Sequence, residues 1–325
     1  PNYWDMNLKL DYKFDNNNML SLIGFGAIDK INMKADESNS VNDWPYNSDD
    51  RVNSYTAGLN YTKLFNKGYL QAVLSDSYTD YFDDIIYAIT GKREYYNDSY
   101  ENTTNLKVDL NYKLNKYMTV NFGTGWKYVT FKNDMFAVAD TTPEGYPIPE
   151  LKFNSSLNAN KYYSSVNLTS KLFDEKIILN TGVRVDYFDF IRLKSTISPR
   201  FGISYKVLPT TSINASFGIF HQSPEYIWIA SNPQNKNLNS LRCDHYVFGI
   251  EHLFTSSLNA IVEVYEKRYS GYPVSIDDPR YILIDGGANY GPNLIGASTS
   301  AGSGYVRGLD LSLQKKLTGN GFYGL

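Results

Sequence analysis

Cysteine is nearly absent: Cys243 stands alone among 325 residues, which excludes an internal disulfide and a thiolate metal cluster. Three histidines are too few for a His-rich metal centre. Charge of one sign is not in excess either. Lys and Arg number 31 against 34 Asp and Glu, a net charge of -3, so no nucleic-acid partner is expected. No apolar run approaches the roughly 18 residues that a transmembrane helix needs. The chain opens on "PNYWDMN", without an initiator Met or a signal-peptide pattern, and closes on "GNGFYGL" as a strand begins. Both ends read as cut, and the expectation is a piece of something longer.

What is present is aromatic and alternating. Aromatics make up 15%, with 29 Tyr and 17 Phe. In "LKLDYKF" Leu8, Leu10, Tyr12 and Phe14 alternate with Lys9, Asp11 and Lys13, the pattern of a strand with one apolar and one wet face. The unit recurs. Short polar turns stand near Asn16, Lys67, Asn115, Glu175, Pro209, Ser256 and Gly319, each between apolar alternations, which is the hairpin signature. Longer connections rich in Asn, Asp, Ser, Pro and Tyr fall between them: 33–50, 135–156 and 271–304. Short turns at one end and long loops at the other are the habit of bacterial outer-membrane barrels.

Alternation alone cannot separate a soluble sandwich from such a barrel. The length of the strands, expected at about 10 to 14 residues, favours the barrel. So does the aromatic girdle next to the short turns (Phe14, Phe65, Tyr69, Tyr117, Phe173, Phe254), where a membrane interface would sit. Repeated hairpins that close on themselves remove the unpaired edges that lipid does not tolerate. The expected fold is therefore all-β: a transmembrane antiparallel barrel of about 14 to 15 strands, bounded by outer-membrane lipid.

From about Lys161 onward the sequence resembles the barrel of TonB-dependent outer-membrane receptors. "ILNTGVRVDYF" (178–188), "ISPRFGISYKV" (197–207), "INASFGIFHQSPEY" (213–226), "HYVFGIEHLF" (245–254) and "GYVRGLDLSLQKKL" (304–317) carry the likeness in order. The Asn-, Tyr- and Lys-rich style is similar to receptors of the Bacteroidetes group. The resemblance implies a 22-stranded barrel around an N-terminal plug, importing scarce ligands with energy delivered through the TonB complex. Residues 1–325 would be a partial barrel domain without plug, TonB box or final strands, so TonB would act through a part outside them. The transported small ligand would be a siderophore, cobalamin, glycan or peptide. Two other readings remain open: a structural or scaffold barrel of a surface or secretion assembly, and a glycan or peptide importer paired with a surface lipoprotein.

Candidate sites follow from placement. In "ADESNSVNDWPYNSDDR" the carboxylates Asp36, Glu37, Asp43, Asp49 and Asp50 are of the type that binds calcium, although their spacing matches no EF-hand loop and a solvated loop needs no ion. No other metal and no cofactor is expected. Trp44 and Tyr46 flank Pro45 in the same loop and are candidates to stack on a ligand ring or to pack the loop on itself. In "FHQSPEYIWIASNPQNKN" (220–237) the resemblance places the loop at the barrel mouth, making His221, Gln222, Glu225, Tyr226 and Trp228 candidate ligand-vestibule residues. The plainer reading has Gln222 and Pro224 shaping the strand exit and Trp228 seated in the headgroup layer. Lys107, Asp109, Arg184, Asp186, Arg200 and Lys206 are expected to line the lumen. Catalysis is not expected: Asp244 and His245 are strand neighbours that point to opposite faces, and no nucleophile elbow occurs.

Overall fold

The computed structural model describes residues 2–35, 45–141, 147–148, 150–276, 279, 296–318 and 321–324. Its strands are β1 (Asn2–Lys13), β2 (Asn18–Met33), β3 (Tyr46–Phe65), β4 (Gly68–Tyr87), β5 (Arg93–Lys113), β6 (Met118–Ala137), β7 (Asp140–Thr141), β8 (Pro147–Ile148), β9 (Leu151–Leu172), β10 (Ile177–Phe188), β11 (Ser195–Leu208), β12 (Thr211–Gln222), β13 (Leu241–Thr255), β14 (Leu258–Ser275), β15 (Ser298–Thr318) and β16 (Gly321–Gly324). One helix, α1 (Tyr226–Ser231), and a 3-10 turn over Pro233–Asn237 lie between β12 and β13. Apart from the small β7–β8 hairpin, the strands hydrogen-bond in chain order in a 14-stranded sheet. The residues group into two compact units: 1–64, 71–108 and 125–161 form the first, and 65–70, 109–124 and 162–325 the second.

The short turns fall where the polar clusters stand. At the first, the Asp15 carboxylate accepts the backbone N–H groups of Asn17 and Asn18 at 2.7 and 2.8 Å, so the side chain reinforces a turn across which Phe14 N–H donates to the Asn18 carbonyl at 3.0 Å. Residues 319–320, the last expected turn, lie outside the described residues.

The first unit contains β1, β2 and most of β3 and β4. The last two are longer than expected: β3 and β4 each run 20 residues. Their upper halves lack apolar alternation and pair through polar side chains instead. Asn53 donates to Asp80 at 3.1 Å, Thr56 to Ser77 at 2.9 Å and Tyr55 to Asp76 at 2.9 Å. The rings of Tyr55, Tyr78 and Tyr100 stack in turn at 5.7 and 5.8 Å. About ten residues cross a bilayer, so the surplus, including 80–96, stands beyond it.

In the second unit the pairing of β10 to β15 settles which solvent each face meets. On one face Val183, Val185, Phe201, Phe248, Ile250, Val262, Val264, Leu309 and Leu311 are all exposed. In register they form cross-strand rows, Ile250–Val262–Leu311 and Phe248–Val264–Leu309. A sandwich would hide these rows against a second sheet; no described element covers them. Exposed apolar rows of this extent are stable only against lipid. The opposite face carries Asn180, Gly182, Arg184, Gly202, Ser204, Asn214 and Ser216. On that face Gly308 sits beneath the ring of Tyr265, which occupies the space a Cβ would need. Phe14, Tyr69, Tyr117, Phe173 and Phe254 are exposed at the short turns, as a girdle requires.

Candidate functional site

At the end of β10–β13 away from the short turns, two connections fold onto one another. The turn 189–194 and the loop 223–240 share a small apolar core: Phe188, Phe190, Ile191, Ile229, Leu238 and Leu241 are buried. Phe190 packs between Phe188 and Tyr226, with ring centroids 6.0 and 5.7 Å apart. Arg192 N–H donates to the Lys236 carbonyl at 2.8 Å. Asn235, fully buried, is the hub. Its amide donates to the carbonyls of Trp228 (2.7 Å) and Gly296 (3.0 Å) and accepts the N–H of Ser298 at 2.8 Å. Asn232 accepts the Gln234 N–H at 2.9 Å, and Pro233 occupies the first position of the 3-10 turn. Helix formation here is local and short, set by the extended backbone of Glu225 at its start.

The structure therefore brings the expected mouth residues into one built element. Gln222 ends β12 and is exposed, while Ser223 and Pro224 behind it are buried, which fits a shaped strand exit. Glu225 caps α1, its carbonyl accepting the N–H groups of Trp228 and Ile229 at 3.2 and 3.3 Å. Tyr226 turns into the aromatic core, and the Trp228 carbonyl is held by Asn235. His221 Nδ1 lies 3.0 Å from Ser198 Oγ.

Below the loop, the wet face of β10–β12 carries a charged row. Arg184 grips Asp186 through Nε and Nη2, at 2.6 to 3.0 Å, and its guanidinium lies 4.1 Å from the centroid of the Tyr163 ring. Arg200 lies over the Phe220 ring at 4.5 Å, and among the described residues its guanidinium has no hydrogen bond or ion pair. A cation held against a ring but left without a carboxylate suits an anionic group. A recess lined by Gly202, Ser204, Asn214, Ser216 and Glu263 lies on the same wall.

Other expected residues lie elsewhere. Lys206 stands at the short-turn end of β11, far along the strand from the mouth. Lys107 and Asp109 alternate with the outward Leu106 on β5. In the first unit Tyr46 packs on Tyr87 with centroids 5.7 Å apart, so this ring folds its own loop base. Asp49 pairs with Lys30 at 3.6 Å, and Ser48 donates to Asp50 at 2.9 Å. Trp44 and the carboxylates Asp36, Glu37 and Asp43 lie outside the described residues. Among the described residues no cluster of three His, Cys, Asp or Glu is placed to hold a metal. Asp244 is gripped by Arg242 at 2.7 and 3.0 Å, while the His245 ring meets Phe220 on the other face, so the two do not form a catalytic pair. Sequence reasoning missed the Phe190–Ile191–Tyr226–Ile229–Leu238 knot. The one signal was "DFIRL", an apolar cluster inside a connection.

Comparison with known proteins agrees with this geometry. The profile of the family described as TonB dependent receptor-like, beta-barrel, matches residues 1–325. The siderophore receptor PirA of Pseudomonas aeruginosa is similar in structure, with a TM-score of 0.66 at 13% identity, covering 97% of this chain and 54% of that one. FpvA of P. aeruginosa, solved with bound pyoverdines, gives 0.71 at 13%, covering 98% and 47%. The alcaligin outer-membrane receptor FauA of Bordetella pertussis gives 0.63 at 14%, covering 97% and 50%. The chain spans about half the length of these structures. No curated protein matches it.

Proposed function

From its place in the TonB-dependent receptor-like β-barrel family, to which this chain belongs, we propose that residues 1–325 are part of the wall and mouth of an outer-membrane importer of a scarce small ligand. The family is one of outer-membrane receptors and transporters rather than enzymes. The observation that carries the reading is the pair of opposed faces on β10–β15, with bare apolar rows outside and a charged, small-residue wall inside. Such a wall surrounds a hydrated lumen.

Energy reaches the transport step through TonB by a plug outside these residues. Among siderophore, cobalamin, glycan and peptide, the reading favours a siderophore-type metal chelate. Its support is the names of the similar structures, which include siderophore receptors and a copper transporter. Arg200 over Phe220 offers one cation to an anionic or catecholate-like group, and Gln222 and Glu225, both exposed at the strand exit, form the approach.

The test is energised uptake by cells carrying the full-length receptor as their sole importer, offered a panel of radiolabelled ferric chelates, cobalamin, oligosaccharides and peptides. Uptake of a ferric chelate that stops when the membrane is de-energised supports the proposal. Normal growth and no energy-dependent uptake of any panel member would overturn it. Arg200→Gln should lower affinity for the imported chelate by about tenfold, the loss of one charge-assisted contact.

A further inference from the structure

The lipid-facing surface of β13–β15 changes character abruptly. Above the row Phe248–Val264–Leu309 comes Tyr246–Glu266–Arg307, then Asp244–Arg268–Tyr305, then Arg242. Rows on one face lie about 6.6 Å apart along the strand, so the change is complete within two steps. On β10 the same height remains apolar. Counting from the strand starts at the short turns, Val185 and Tyr187 stand eight and ten residues beyond Ile177, whereas Glu266 and Arg268 stand eight and ten beyond Leu258. Within β10–β15, charge on this face is confined to β13–β15.

The cluster is built, not scattered. One carboxylate organises two guanidiniums: Glu266 Oε1 accepts Arg268 Nε at 2.6 Å and Oε2 accepts Arg307 Nε at 3.1 Å. Each cation also lies by a ring, Arg268 at 5.6 Å from the Tyr246 centroid and Arg307 at 5.0 Å from that of Tyr305. Because Glu266 takes the Nε atoms, the terminal nitrogens of both guanidiniums have no partner among the described residues, and the two side chains are 63% and 65% exposed. With Arg242 paired to Asp244, the patch holds three cations and two anions. The surplus is positive, and it faces the membrane. Two adjacent planar forks with their end-on edges open match the tetrahedral oxygens of a phosphate.

We propose that this patch docks a phosphate-bearing lipid of the surrounding membrane leaflet, its headgroup phosphate between Arg268 and Arg307 and its acyl chains along Val264, Leu309 and Leu311. Charge complementarity fixes the headgroup, and continuity with the exposed apolar rows fixes the chains. A free phosphate would share only the first of these contacts.

The test uses the full-length receptor in detergent micelles, with lipid retention read by native mass spectrometry. Diphosphoryl lipid A, the same lipid dephosphorylated, and inorganic phosphate as a competitor are the probes. The wild type should retain the phosphorylated lipid, and retention should fall about tenfold for Arg268→Gln/Arg307→Gln, as expected for loss of charge-assisted bonds. Glu266→Gln should retain it. Inorganic phosphate at equal concentration should not displace it. Equal retention by the double variant, or full displacement by inorganic phosphate, would overturn the proposal. If the double variant yields no folded, heat-modifiable band, the wild type decides: equal retention of phosphorylated and dephosphorylated lipid overturns it.

Discussion

Asn235 shows how much of the mouth rests on a single side chain. It satisfies two carbonyls and one N–H from the loop and from the start of β15. Asn235→Ala leaves these buried groups unpaired, at about 1–3 kcal/mol for each. The expected result in the full receptor is rapid protease cleavage within 223–240 while the folded band on an unheated gel persists; unchanged cleavage would refute it. Two aspartates outside the bilayer should respond to pH in opposite senses. The backbone N–H of Asn17, then the side-chain amide and backbone N–H of Asn18, hold the Asp15 carboxyl below its ordinary value. Its stabilisation is therefore present above about pH 4, the unfolded value, and is lost as pH falls through the folded value. Burial pushes Asp83 the other way, above the ordinary value, against a smaller opposing hydrogen bond from Asn97. It therefore costs stability as pH rises past its unfolded value. Asp83→Asn should raise the melting temperature at pH 7 and leave it unchanged near pH 3. Asp15→Ala should lower it at pH 7 and not near pH 3.

At the scale of the strand, the alternation is a statement about solvent. Leu311 faces outward with 70% of its surface exposed, and its neighbour Ser312 points to the other face. Placing Arg at Leu311 sets a charge in the hydrocarbon, at about 2–4 kcal/mol, whereas Arg at Ser312 meets water. Denaturant unfolding of the receptor in vesicles should separate the two variants by that margin. Similar losses at both positions would mean the outward assignment is wrong. The long strands follow the same logic. Toward the far ends of β3 and β4, outward cross-strand pairs such as Tyr55–Asp76 and Asn53–Asp80 replace apolar rows, because the headgroup layer and water rather than hydrocarbon are then the medium.

For the molecule as a whole, wall and mouth should be separable. Replacing 223–240 by a short turn in the full receptor removes the Ile229–Leu238–Asn235 knot but none of the strand register of β12 on β13. Barrel assembly, read as heat-modifiable migration, is expected to survive while uptake of the imported chelate is lost. Loss of assembly would show that the loop belongs to the folding unit. The isolated 325-residue chain is a different case. Every residue of β1 is exposed and among the described residues it pairs with β2 alone, and an unpaired strand edge is intolerable in lipid. The chain expressed alone should give no heat-modifiable band.

Alternation of Leu106 with Lys107, or of Val183 and Val185 with Arg184 and Asp186, was enough by itself to determine strand, turn and antiparallel order, because a side-chain period of two is a local property of an extended backbone. Residue motifs such as "SPRFG" carried the family. What alternation left open was which face meets lipid, since Leu309 and Leu311 alternate with polar residues in a sandwich and in a barrel alike; strand length and the aromatic girdle pointed to the barrel. Only the tertiary structure, by leaving those rows uncovered, decided it. The mouth was hidden for a related reason. Phe190, Tyr226 and Leu238 come from connections far apart in sequence, and the Arg268–Glu266–Arg307 cluster from two strands, so no local period announces them. Contacts of this kind exist only after pairing has set the register, and register is a property of the assembled sheet.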